Sequence, residues 1–206
     1  MKFARTSTVI VATAASLAAL AAVAQTVRLR VKGAEFDPAH VCDATAKWIK
    51  NIGLTSFNDS FAAAFRMHKL CSTDTSAASF GLISGVKGQT LVGPDALGFD
   101  YKNVNGGFLA HCGAGAPRFN VGMSDGSFHF IGCSAGTATE SPNGTGWTQV
   151  RFNPQDPAQA FPPVPTNATI TSIALVFDEG SDVGFNGSPE IVLDNIVVNG
   201  KIAARP

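Results

Sequence analysis

Turns break this chain into short pieces, and that punctuation limits what it can fold into. Asn105-Gly106-Gly107, Asp125-Gly126, Asn143-Gly144, Asn186-Gly187 and Asn199-Gly200 each mark a reversal, because Gly, Asn and Asp reach backbone conformations that other residues avoid. Between such signals lie short apolar or alternating runs: Val27–Val31, Lys47–Ile52, Ser79–Ile83, Gln89–Val92, Leu97–Tyr101, Arg118–Val121, Ser127–Ile131, Trp147–Phe152, Ile170–Phe177 and Ile191–Val198. Many short strands with Gly-rich punctuation predict an all-β antiparallel sandwich. Phe61 to Lys69 fits a strand by period two, with Phe61, Ala63, Phe65 and Met67 on one side. Its Ala and Met residues also suit a helix. Pro154 to Pro165 reads as one long extended connection crossing between sheets.

The first residues follow a different logic. Lys2 and Arg5 precede an uncharged, Ala-rich stretch, Thr8 to Val23, and Ala22-Val23-Ala24 offers small residues for cleavage before Gln25. That is the pattern of a secretory signal peptide over residues 1–24, leaving one domain over residues 25–206. A retained anchor is the alternative, but its apolar core is short against the roughly 20 residues a spanning helix wants. The expectation is a secreted, extracellular or periplasmic protein with no membrane insertion after cleavage. Loss of Lys2 and Arg5 takes the basic count from 15 to 13 against 15 acids, a net charge of −2. With no basic cluster evident, nucleic acid is not expected as a partner.

Four cysteines in an exported chain predict disulfides. A hairpin through Ser124-Asp125-Gly126 would bring Cys112 near Cys133, which leaves Cys42 for Cys71 by elimination. His111 and His129 near Cys112 and Cys133 could imitate a zinc set. Export favours the disulfide, flanked by two surface histidines.

Catalysis finds little support. Gly122-Met-Ser124-Asp-Gly126 matches a hydrolase elbow, but that serine needs a strand-to-helix turn, and Ser127 to Ile131 alternates like a strand. Glu35, Glu140, Glu179 and Glu190 suggest no facing pair of acids for glycoside hydrolysis. Asp178, Glu179 and Asp182 form an acidic loop, followed by Asp194 on the next strand. Calcium takes six to eight oxygen ligands, so Asp194, Asp178 and Asp182 are candidate ligands for a possible Ca2+. Asp194 reads as sharing an inward face with Val192, Ile196 and Val198, where a carboxylate needs partners. Trp147, Tyr101 and Trp48 are candidates for stacking on sugar, with core packing as the alternative for each tryptophan. Asn58-Asp-Ser60, Asn143-Gly-Thr145 and Asn167-Ala-Thr169 match glycosylation sequons by coincidence of composition.

The segments Leu97-Gly-Phe-Asp-Tyr101, His111-Cys-Gly-Ala-Gly-Ala-Pro-Arg-Phe-Asn-Val121 and Leu193-Asp-Asn-Ile196 resemble an uncharacterised family of small secreted bacterial proteins. At greater distance, the closing Leu-Asp-Asn-Ile-Val-Val is similar to the last strand of jelly-roll carbohydrate-binding modules. That resemblance implies a jelly-roll-like sandwich and, at Asp194, a structural calcium ligand. The reading as a whole is a non-catalytic secreted module that binds a glycan or another surface partner. A structural envelope or matrix protein, or a small secreted hydrolase, are the alternatives.

Overall fold

A computed structural model of the chain describes residues 28–55, 62–103, 111–113, 115–144, 146–182 and 189–206. The leader at residues 1–24, Phe61, the Asn58-Asp-Ser60 sequon and the turns Asn105-Gly106-Gly107 and Asn186-Gly187 lie outside the described residues. The strands are β1 (Arg30–Phe36), β2 (Thr45–Ile49), β3 (Ala64–His68), β4 (Ala78–Ser84), β5 (Leu97–Asn103) and β6 (Arg118–Met123). They continue as β7 (Phe128–Gly132), β8 (Thr137–Glu140), β9 (Thr148–Phe152), β10 (Ile170–Phe177), β11 (Glu190–Val198) and β12 (Lys201–Ile202).

Two antiparallel sheets form the expected sandwich. The first runs β1-β4-β10-β6-β7 and the second β2-β3-β11-β5-β9-β8, with β12 beside β11. Inside them β4-β10-β6-β7 faces β3-β11-β5-β9, and the chain changes sheet at almost every step from β3 to β11. This is jelly-roll connectivity. Period-two alternation supplies the core: Phe119 and Val121 from β6, Leu97 and Phe99 from β5, and Phe152 from β9 are fully buried between the sheets. The rings of Phe99, Phe119 and Phe152 meet one another at 5.6–5.9 Å. Burial of each such side chain contributes roughly 1.5–3 kcal/mol.

Several local expectations change. Gln89–Val92 joins no strand, because Gly88 (φ +82°) and Gly93 (φ +102°) bend the chain sharply on both sides of it. Thr137–Glu140 is exposed at all four positions, so β8 lacked any apolar alternation to announce it. The connection from β9 to β10 does cross between sheets, but it is folded into turns, with the Ala160 N–H donating to Asp156 O at 2.9 Å. Cys42 pairs with Cys71 and Cys112 with Cys133, the connectivity the sequence suggested. The histidines beside the second bridge are not on the surface: His111 is fully buried and His129 nearly so.

The largest correction concerns β11. Its pairing with β5 slips between Asp194 and Val197, where Asn195 adopts φ +44°. Ile191 and Leu193 face the core before this bulge, and Ile196 and Val198 face it afterwards. Val192 packs with Leu54, Ala64 and Trp147 in a separate cluster. Asp194 alternates with Leu193 and therefore shares the face of Val192, not that of Ile196 and Val198. An extra residue in one strand is what flips the faces.

Candidate binding face

The first sheet turns one face to the core; on the other, among the described residues, Lys32, Leu82, Phe128 and Phe130 are exposed, while Ala78 and Val176 are buried. Alternation in β7 buries His129 and Ile131 and turns Phe128 and Phe130 outward. The pairing registers then define a row across the sheet: Lys32 opposite Leu82, Leu82 opposite Ala174, Ala174 opposite Asn120, and Asn120 opposite Phe130. On the Phe128 side of that row Ser172 pairs with Gly122, and Gly122 with Phe128. Gly122, which has no side chain, and the small side chains of Ser172 and Ala174 therefore floor the middle of the face, between Leu82 and the phenylalanines. Phe128 leans over this floor, its Cε1 lying 3.3 Å from where a Cβ at Gly122 would stand.

Phe161 completes the aromatic end. It exchanges backbone hydrogen bonds with Phe130, at 2.8 and 2.9 Å, and so closes the free edge of β7. Phe161 is 78% exposed, Phe128 60% and Phe130 44%. Phe128, Phe130 and Phe161 thus form a cluster of exposed rings, and exposed apolar patches on monomeric proteins are candidate interaction sites. Polar groups stand beside them. Arg118 holds Asp178 by two parallel hydrogen bonds of 2.6 and 2.7 Å, and its Nε donates to Asn120 Oδ1 at 3.2 Å. Burial works to raise the Asp178 pKa, but Arg118, aided by Lys69, brings it below the usual range.

The aromatics expected to stack on sugar lie elsewhere. Tyr101 and Trp147 are each only 5% exposed; Tyr101 packs in the main core and Trp147 over Val192 on the outer side of the second sheet. Burial pushes the Tyr101 phenol up. Trp48 is half-buried, with its Nε1 donating to Val31 O at 2.9 Å and its ring 5.5 Å from that of Phe65. Neither Tyr101 nor Trp147 offers an exposed ring face here. The phenylalanines that do were legible in principle, through the alternation Ser127-Phe-His-Phe-Ile131.

The expected calcium ligands are engaged separately. Both Asp178 oxygens meet Arg118, and Asp182 Oδ1 accepts from the N–H and Oγ1 of Thr73 at 2.7 and 2.9 Å. Asp194 accepts the Leu54 N–H on Oδ2 and the Asn195 N–H on Oδ1, each at 2.7 Å. Among the described residues no group of three His, Cys, Asp or Glu side chains gathers as a metal centre. In this arrangement an arginine stands across Asp178 and backbone donors meet Asp194. Asp194 belongs instead to a buried polar cluster with its cross-strand neighbour Asp100. Asp100 accepts from Ser141, Asn143, Asn195 and Arg151 at 2.8–3.2 Å.

Two other constellations resolve as structural. The hairpin serine Ser124 accepts the Thr169 N–H at 3.1 Å, and it is Ser127 whose Oγ meets His129 Nε2, at 2.7 Å. His129 Nδ1 donates to Pro162 O at 2.7 Å, and Ser127 also bonds Asp125 Oδ1 at 2.6 Å, which holds Asp125 below the usual carboxylate range. Acyl transfer there would need N–H groups aimed at an oxyanion. Those of Ser124, Gly126 and Ser127 already serve Thr169 O, Met123 O and Asp125 Oδ1. The group closes a turn. Likewise His111 Nδ1 lies 3.2 Å from Glu179 Oε2, while Glu179 Oε1 accepts the Ala116 N–H at 2.8 Å, fastening the Cys112–Pro117 loop to the end of β10.

The fold and site thus define a disulfide-bonded jelly-roll sandwich with one partly exposed, aromatic-tipped sheet face. Compared with known proteins, the chain matches no family model, no curated protein and no solved structure.

Proposed function

We propose that this chain is a secreted, non-catalytic module that binds an extended glycan on the outer face of its first sheet. The observation that carries the reading is the exposure of Phe128, Phe130 and Phe161 together at one end of that face. A pyranose has an apolar face that stacks on a ring and hydroxyls that hydrogen-bond to neighbours such as Asn120, Ser172 and Arg118. Disulfides fit an extracellular or periplasmic site of action, and among the described residues no helix is long and apolar enough to cross a membrane.

The test is a polysaccharide and glycan-array binding screen of the oxidised 25–206 chain and of Phe128→Ala, Phe130→Ala and Phe161→Ala. Each exposed ring is expected to be worth roughly tenfold in affinity, about 1.4 kcal/mol, with the melting temperature nearly unchanged. Binding should persist in EDTA, because Asp178, Asp182 and Asp194 already have protein partners. If no glycan binds while the chain sediments as oligomers that Phe161→Ala disperses, the face is a self-association surface and the proposal fails.

A further inference from the structure

At the opposite end of the same face lies a second feature. Arg28, Arg30 and Lys32 alternate with Leu29 and Val31; the three cations are exposed and the two aliphatics buried. Period two therefore lines Arg28, Arg30 and Lys32 along one side of the segment that enters β1. Among the described residues none of the three has a carboxylate within ion-pair distance, the pairs being those of Arg66, His68, His111, Arg118 and Arg151. Glu35 pairs with Ser79, a fully buried inward position, and so falls on the other face of the sheet. Asp178, beyond the far end of β10, is neutralised by Arg118. Among the described residues, this end of the face thus carries positive charge without an ion-pair partner, in a protein that is close to neutral overall.

Charges on an edge strand often serve only to prevent strand pairing. That duty is already filled here. Ala204 lies along this edge, accepting the Val31 N–H at 2.9 Å and donating its own N–H to Leu29 O at 3.0 Å. The cations are left for another purpose.

We infer that the preferred ligand is an acidic polysaccharide, one whose uronate carboxylates meet Arg28, Arg30 and Lys32 while a distant sugar stacks at Phe130 and Phe161. This rests on the binding-face reading above and narrows its ligand class. From β1 to β7 is four strand spacings, about 19 Å, so one molecule reaches both ends only as a chain of several sugars. A nucleic acid is the other polyanion to weigh. It would be held by a longer track of cations following its phosphates, whereas the outward alternation here ends after Lys32 in Ala34 and Phe36.

The experiment measures binding of the oxidised 25–206 chain to polygalacturonate, alginate and hyaluronan, each beside its carboxyl-reduced neutral counterpart, and to duplex DNA. At least one carboxylated polymer should bind roughly tenfold more tightly than its neutral form, with affinity falling as salt rises. Arg28→Gln/Arg30→Gln/Lys32→Gln should erase that preference and leave neutral binding as it was; Phe161→Ala should weaken both. Equal binding of charged and neutral polymers, or a triple variant that keeps the preference, overturns the acidic ligand and leaves the binding face standing. Tighter binding to DNA than to every carboxylated polymer also overturns it. Binding to none of these overturns the acidic ligand, and the glycan array then decides whether the binding face stands.

Discussion

Lys69 illustrates how single residues carry this fold. It is a fully buried cation, and its Nζ donates to the carbonyls of Asp178 at 2.7 Å, Thr75 at 2.9 Å and Thr73 at 3.4 Å. Those bonds fasten the loop after β3 to the end of β10, near the same Asp178 that Arg118 holds. Lys69→Met keeps the aliphatic stem but leaves carbonyls without their charged donor. Hydrogen bonds to a charged group contribute about 1.5–3 kcal/mol, so the variant is expected to lose about 2–3 kcal/mol, read as a lower urea midpoint with unchanged slope. A variant as stable as the parent would mean that water replaces the ammonium there. Asp178 and Asp194 teach a related lesson. The need of Asp194 for partners was readable from an acid among apolar neighbours, whereas Asp178 read only as part of an acidic loop; the identity of neither partner was readable, since Arg118 and Leu54 lie 60 and 140 residues away in sequence.

At the scale of the element, alternation carried most of the fold. β10 matches its expected bounds, and β4, β5, β6, β7, β9 and β11 fall within two residues of theirs. Which face a strand turns inward was less legible, because one bulge reverses it. Asn195 makes that bulge twice over: it accepts φ +44°, which Asn tolerates better than most residues, and its Nδ2 donates to buried Asp100 at 2.8 Å. Two substitutions separate these roles. Asn195→Gly keeps the backbone freedom and loses the hydrogen bond, an expected cost of about 2 kcal/mol. Asn195→Val loses both and should cost roughly 1–3 kcal/mol more, from strain at a β-branched residue. Chemical denaturation of both variants decides it, and equal losses would mean that the positive φ demands nothing of the side chain. The candidate site was hidden for another reason. Tryptophan and tyrosine drew attention by residue type, yet Tyr101 lies in the core, Trp147 is buried on the outer side of the second sheet and Trp48 is half-buried, whereas exposed rings come from phenylalanines on and beside the edge strand β7.

Across the whole molecule, covalent and electrostatic ties act at different places. The two disulfides close segments of 29 and 21 residues, and chain-entropy arguments give each about 3.5 kcal/mol. The ion pair of Arg118 and Asp178 lies between β6 and the end of β10, at the margin of the proposed binding face. Because both partners are partly exposed, solvent screening reduces its strength, but its dependence on pH has a fixed sign. The folded-state pKa of Asp178 is depressed, since Arg118 and Lys69 together outweigh the effect of burial. The unfolded chain returns it to about 3.9. Its contribution is therefore complete above about pH 4 and fades as pH falls through the lower folded-state value. Asp37 and Asp182, where hydrogen bonds outweigh the raising effect of burial, and Asp125, hydrogen-bonded to Ser127, are shifted the same way, so acid should loosen several loops over one window. Asp178→Asn tests the tie to Arg118. It should melt at a lower temperature than the parent at pH 7, and the gap should narrow on acidification below about pH 4, because the parent loses what the variant already lacks. Melting curves taken between neutral pH and pH 2 give the answer. A gap that stays constant across that range would show that the pair contributes through packing and not through charge.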